Sequence, residues 1–149
     1  MRFLINLLYN IYMHDFKYCL WLTSESTPWK TYTNGFQPHV TIKSHLSYNE
    51  CLSLLKEITA DFKPVEIELI GKIKYSSTTD FHSLFYDAKL KDDALNVPWW
   101  PENPHVSFYY DYDTIDDSVI LDVSNKVIIK SVCFDSVIIK RCSGHFTKW

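Results

Sequence analysis

Two short stretches of the chain, Pro38-His39-Val40-Thr41 and Pro104-His105-Val106-Ser107, repeat one pattern: a proline, a histidine, a valine and a hydroxyl residue. Residues two apart on a β-strand point to the same side, so each copy offers an imidazole beside a hydroxyl. Brought together, the four side chains form a set able to cleave a phosphodiester. A neutral histidine takes the proton of an attacking hydroxyl, a protonated one gives a proton to the leaving oxygen, and the Thr and Ser hydroxyls hold the phosphoryl oxygens. Imidazole suits both roles because its reference pKa of about 6.5 lets acid and base forms coexist near neutrality. No metal is required for this chemistry, and neither motif has the nearby carboxylate that would favour a metal hydrolase built on His39, His105 and either His45 or His82. His39, Thr41, His105 and Ser107 are the expected catalytic residues. Which histidine is acid and which is base stays open, because the two motifs are chemically near-identical.

The elements expected to carry the motifs follow the same order twice. Phe16 to Thr23 reads as a strand, Ser24 to Gly35 as a loop with an Asn34-Gly35 turn, and Pro38 to Ser44 as a second strand with His39, Thr41 and Lys43 on one side. Ser47 to Glu50 has the form of a capping box, and Cys51, Leu54, Leu55, Ile58 and Phe62 recur at helical spacing until Pro64. Val65 to Ile70 closes the unit as a strand. In the second half Phe81 to Leu90 is a strand, Lys91 to Asn103 a loop, and Pro104 to Tyr110 a strand. A helix opening near Thr114 and Asp117 and a closing strand over Val132 to Arg141 complete it.

Spacing relates the halves. Phe16 precedes His39 by 23 residues and Phe81 precedes His105 by 24, while His39 precedes Val65 by 26 and His105 precedes Val132 by 27. The chain therefore reads as a duplicated β-loop-β-α-β unit, with halves over about 16–70 and 81–141 of a single domain spanning 1–149. Two such halves related by a pseudo-twofold axis make an α+β domain, with antiparallel sheets around a central cleft and a helix on the outer face of each half.

Composition narrows the substrate. At 149 residues, 46% hydrophobic and 22% charged, the chain is in the globular range. Its net charge is -3 and it has no basic run of the kind that tracks a long phosphate backbone, so a small anionic substrate fits better than a nucleic-acid polymer. Aromatic residues make up 16%, enough to supply stacking surfaces for bases. Cys19, Cys51, Cys133 and Cys142 show neither a disulfide framework nor zinc-ligand spacing and read as reduced, mostly buried thiols of a cytosolic protein. The apolar opening, Met1 to Met13, is interrupted by Asn6 and Asn10, lacks a signal-peptide cleavage site and is too short to span a membrane. No cofactor is expected, and oligomeric state is not readable.

The motifs His39-Val40-Thr41-Ile42 and His105-Val106-Ser107-Phe108 resemble those of the two-histidine phosphoesterases, which carry one H-x-[ST]-x motif in each lobe of a duplicated α+β fold, and the resemblance covers nearly the whole chain. Members open 2',3'-cyclic phosphates, cleave 2'-5' linked oligoadenylates, process RNA ends or degrade cyclic oligonucleotide signals. Short length, the missing basic patch and the opening Asn6-Leu7-Leu8-Tyr9-Asn10-Ile11-Tyr12 look most like the phage enzymes that destroy the cyclic di- and trinucleotides of bacterial anti-phage (CBASS) immunity. That likeness implies attack by a ribose 2'-hydroxyl on a 3'-5' linkage, in the host cytoplasm. It also implies that Tyr12 contacts a base. Trp99 and Trp100, between Pro98 and Pro101, and the terminal Trp149 are further stacking candidates, each with packing or a loose chain end as the alternative. A non-catalytic sponge would need these aromatics and not both histidines.

Overall fold

The computed structural model describes residues 17–149. Among these residues seven strands form one sheet: β1 (Tyr18–Thr23), β2 (His39–Leu46), β3 (Val65–Ser77), β4 (His82–Leu90), β5 (His105–Asp111), β6 (Ser131–Phe134) and β7 (Ser136–Arg141). Helix α1 (Tyr48–Ala60) follows β2 and α2 (Asp117–Lys126) follows β5. The strand order is β6-β3-β4-β5-β2-β1-β7, and every neighbouring pair runs antiparallel.

Strand β6 and strand β7 are the opposite edges of this sheet, yet only Asp135 separates them in sequence. Laid flat, seven strands would hold their edges about 29 Å apart, whereas two Cα steps span at most roughly 7.6 Å. The sheet is therefore curled, so that the end of one edge meets the start of the other. The closing strand expected over Val132 to Arg141 is two strands for this reason: Val132 and Phe134 pair onto β3, and Val137 to Arg141 pair onto β1. The expected separate sheets are one continuous sheet.

Helix α1 starts as its sequence dictates. Ser47 accepts from the Glu50 amide and Glu50 returns a bond to the Ser47 amide, completing the capping box. Its apolar stripe, Cys51, Leu54, Leu55 and Ile58, packs on Leu20 and Leu46. Helix α2, expected to open near Thr114 and Asp117, begins at Asp117 with Asp116 at the cap position and no side-chain cap bond, and Val119, Ile120 and Val123 face the core. That core includes Leu22, Val40, Val106 and Tyr86, opposed in register across β1, β2, β5 and β4, with Trp29 edge-on to Phe108 and Phe134. Burying side chains of this size stabilises by roughly 1.5–3 kcal/mol each. One face of the sheet is thereby committed to the core and both helices, which leaves the odd-numbered positions flanking Val40 and Val106 on the other face.

The loop expected over Ser24 to Gly35 carries structure, and so does the stretch after Ile70, where no element was expected. Pro28–Tyr32 forms a short 3-10 helix capped by Thr27. Strand β3 runs on past Ile70 to Ser77, kinked at Gly71, and turns directly into β4 as a long hairpin.

Candidate active site

The backbone pair Val40–Val106 joins β2 to β5 and is the only bridge between them. Because the strands are antiparallel, this register sets His39 opposite Ser107 and Thr41 opposite His105. The pairings beyond agree: Thr23 and Trp21 oppose His39 and Thr41 on one side, and Phe85 and Asp87 oppose Ser107 and His105 on the other. All four motif residues therefore share the face away from the core, as two imidazole-hydroxyl rows at the middle of the sheet. The two histidines occupy diagonal positions, on the order of 7–8 Å apart in a regular sheet. On either side of this bridge β2 and β5 make no further backbone pair.

Each histidine is oriented in the same way. Nδ1 of His39 donates to the Gln37 carbonyl at 2.7 Å, and Nδ1 of His105 donates to the Asn103 carbonyl at 3.0 Å, both two residues upstream across a proline. A carbonyl only accepts, so Nδ1 carries the proton and Nε2 is the free nitrogen of each ring. On the His39 side the anchor is itself fixed: Thr23 Oγ1 donates to the Pro38 carbonyl at 2.6 Å, and the Gln37 side-chain amide donates to Thr23 Oγ1 and the Ser24 carbonyl.

The surroundings of the two rings differ. His39 is buried, with Trp21 stacked flat on it at 3.5 Å between centroids and 7° between planes. Burial lowers its pKa to about 3, the Gln37 carbonyl opposes this only in part, and the charges of His105 and Lys140 push the same way as burial. His39 is thus a neutral imidazole at any ordinary pH. His105 is exposed, with the Phe85 ring edge-on at 5.2 Å. Asp87, opposite His105, is engaged by Lys74. Ser107 is buried beside Tyr110, whose phenol burial raises to about 12, with the Ser107 hydroxyl acting in the opposite sense; Tyr110 is a neutral neighbour.

The other sequence candidates fall in different places. Trp149 packs against Tyr110 at 5.1 Å and Phe81 at 5.9 Å, in an aromatic cluster with Phe36 and Phe146 that adjoins Ser107 through Tyr110. Trp99 sits with Phe62 at the C-terminal end of α1, packed on the core clusters, and Trp100 packs against the core as well. Neither is brought to the histidine face by these contacts. Tyr12, with the opening segment that holds it, lies outside the described residues. Lys43 does not share the face of His39 and Thr41: β1 steps from Trp21 to Leu20 while β2 steps from Thr41 to Lys43, and this bulge turns Lys43 toward the helix side, beside Leu46 and Glu50. His82 bonds to the Tyr75 hydroxyl and His145 to Thr147. Among the described residues no group of three or more His, Cys, Asp or Glu is disposed to hold a metal ion, and no helix is long and apolar enough to cross a membrane. All four cysteines are free; Cys19 and Cys51 are buried, Cys133 is exposed.

Trp21 and Lys140 join the site without having been marked by the sequence pattern. Trp21 was one aromatic in an apolar strand, and only the register with β2 shows which side of the sheet it occupies. No protein-family model matches the chain, and no curated protein matches it.

Proposed function

We propose that this chain is a metal-independent phosphodiesterase in which His39 is the general base and His105 the general acid. The observation that carries the proposal is the opposed register of the two motifs: an imidazole faces a hydroxyl in each row, and both Nε2 atoms are free while both Nδ1 atoms are held by backbone carbonyls. His39, held neutral under Trp21, keeps Nε2 unprotonated and able to take a proton, and the weak basicity of the free protein's ring rises when a phosphate binds beside it; His105, open to solvent, is the ring left to donate. In the reaction, Nε2 of His39 removes the proton from a ribose 2'-hydroxyl, whose oxygen attacks the adjacent phosphorus. The bond from phosphorus to the 5'-oxygen breaks, and that oxygen takes the proton of His105. The product is a 2',3'-cyclic phosphate, with Thr41 and Ser107 donating to the non-bridging oxygens as charge builds there.

The strand order supports the two-lobed fold of the two-histidine phosphoesterases. About the β2–β5 contact, β1 matches β4, and the third strand of each half, β3 or β7, lies beside the first strand of the other, with β6 added outside β3. With the resemblance of the motifs and the absence of a basic run, this favours a cyclic di- or trinucleotide immune signal as substrate and phage counter-defence in the host cytoplasm as the setting. RNA 2',3'-cyclic ends and 2'-5' oligoadenylate are the neighbouring substrates in the same reaction class.

The deciding experiment incubates the protein, with EDTA present, with cyclic di- and trinucleotides, 2'-5' oligoadenylate and an RNA 2',3'-cyclic end, and identifies products by mass. His39→Ala and His105→Ala should each lower turnover by about 10²- to 10⁴-fold. Near wild-type turnover in either variant would overturn the mechanism, and tight binding with no product after long incubation would make the chain a sponge.

A further inference from the structure

The Trp21 indole stands between two strands. On the β2 side it covers His39; on the β7 side the Lys140 ammonium lies 5.8 Å from its ring centroid. Strand register explains the arrangement. Trp21 opposes Thr41 and Ile138, while His39 opposes Thr23 and Lys140 opposes Cys19, so the two basic side chains occupy opposite corners around the indole on the same face of the sheet. One face of the ring is taken by the imidazole at 3.5 Å, and the cation, 5.8 Å from the centroid, reaches the ring from the β7 side. Lys140 is partly buried, and among the described residues no carboxylate forms a salt bridge with it. A lysine held beside a catalytic face with no anionic partner is suited to an anion that arrives with the ligand. A phosphate seated between His39 and His105 is separated from it by the Trp21 indole, so the anion it meets is a different one.

We propose that Lys140 forms a second phosphate subsite, which selects substrates carrying at least two phosphates over those with one. The subsite rests on the phosphodiesterase reading and narrows it: a nucleoside 2',3'-cyclic monophosphate fills the histidine site alone, whereas a cyclic dinucleotide or a linear oligonucleotide reaches past Trp21 to Lys140.

The test compares wild type, Lys140→Gln and Lys140→Arg on a cyclic dinucleotide and on a nucleoside 2',3'-cyclic monophosphate, reading kcat/KM for each, with equilibrium binding of the dinucleotide measured alongside. In Lys140→Gln the preference for the dinucleotide should fall about five- to tenfold, through KM and not kcat, with Lys140→Arg restoring most of it. The preference should also weaken as salt is raised. An unchanged preference in Lys140→Gln overturns the subsite even if both substrates are cleaved. If wild type cleaves neither substrate, the phosphodiesterase reading fails, and the subsite then stands or falls on binding: weaker dinucleotide binding by Lys140→Gln sustains it, while equal binding, or none by wild type, overturns it.

Discussion

The Trp21 indole and the His39 imidazole lie face to face, 3.5 Å apart and 7° from parallel, and Trp21 is itself 1% exposed. This contact takes one face of the imidazole out of water, and desolvation by burial is the largest cause of the lowered His39 pKa. Trp21→Phe should keep most of the packing while opening part of the ring, and Trp21→Ala should cost about 3–5 kcal/mol of stability. In the Phe variant the His39 resonance, followed by NMR, should titrate at higher pH than in wild type. An unshifted titration would mean that something other than the indole holds His39 neutral.

The pH dependence of rate follows from the same pKa. In the free protein His39 becomes protonated only near pH 3, so kcat/KM should hold on the acid side well below the ordinary histidine value of about 6.5. A bound phosphate adds negative charge beside the ring and raises its pKa, so the acid limb of kcat should lie at higher pH than that of kcat/KM. Rates measured across pH 4 to 9 test this; an acid limb of kcat/KM at about 6.5 would show His39 to be solvated in the active protein.

Stability should carry the matching signature. Below about 6.5 the unfolded chain binds a proton at His39 that the folded chain refuses down to about 3, so the folded state loses stability as pH falls through this window, with a slope approaching 1.4 kcal/mol per pH unit from this group. His39→Gln cannot bind that proton, so urea midpoints of the variant and wild type should converge as pH falls from 7 to 4. Parallel curves would contradict a buried neutral His39.

How far this site could be read in advance depended on whether a local rule governed each part. Pro-His-Val-Thr/Ser alternation foretold that the four motif residues lie on strands with their side chains on one face, because strand periodicity is a property of the chain itself. The capping box at Ser47 likewise acts within four residues. Register is different. The bulge between Thr41 and Lys43, which turns Lys43 away, and the break at Asp135, which sends β6 and β7 to opposite edges, are set by partners far off in sequence. Trp21 was illegible for the same reason, since an aromatic in an apolar strand has no local mark of which side it faces.

The anchor under His39 gives a prediction of its own. Thr23 Oγ1 donates to the Pro38 carbonyl and accepts from the Gln37 amide, and the Gln37 backbone carbonyl is what holds His39 Nδ1. Thr23→Val keeps the shape and deletes both bonds, leaving the Pro38 carbonyl without its partner at a cost of about 1–3 kcal/mol. Turnover should fall several-fold with KM nearly unchanged, since the ring is misoriented while the binding groups remain, and Thr23→Ser should restore both stability and rate. A Val variant with wild-type kcat would separate the anchor from the chemistry.

The C-terminal aromatic cluster is reached through Gly35. This glycine has φ of 102°, a conformation L side chains avoid, and an added Cβ would lie 3.2 Å from Thr147 Cγ2 in the segment that carries Phe146 and Trp149. Gly71 also has positive φ, at 72°, but a Cβ there meets nothing within 4 Å. Alanine at Gly71 should therefore show the backbone penalty alone, about 1 kcal/mol or more, while alanine at Gly35 adds the displacement of the Thr147 segment. Because that segment packs on Tyr110, which neighbours Ser107, Gly35→Ala should lower turnover as well as melting temperature, and Gly71→Ala should lower melting temperature alone. If Gly35→Ala lost stability but kept full turnover, the aromatic cluster would be a clasp on the fold with no hold on the hydroxyl row.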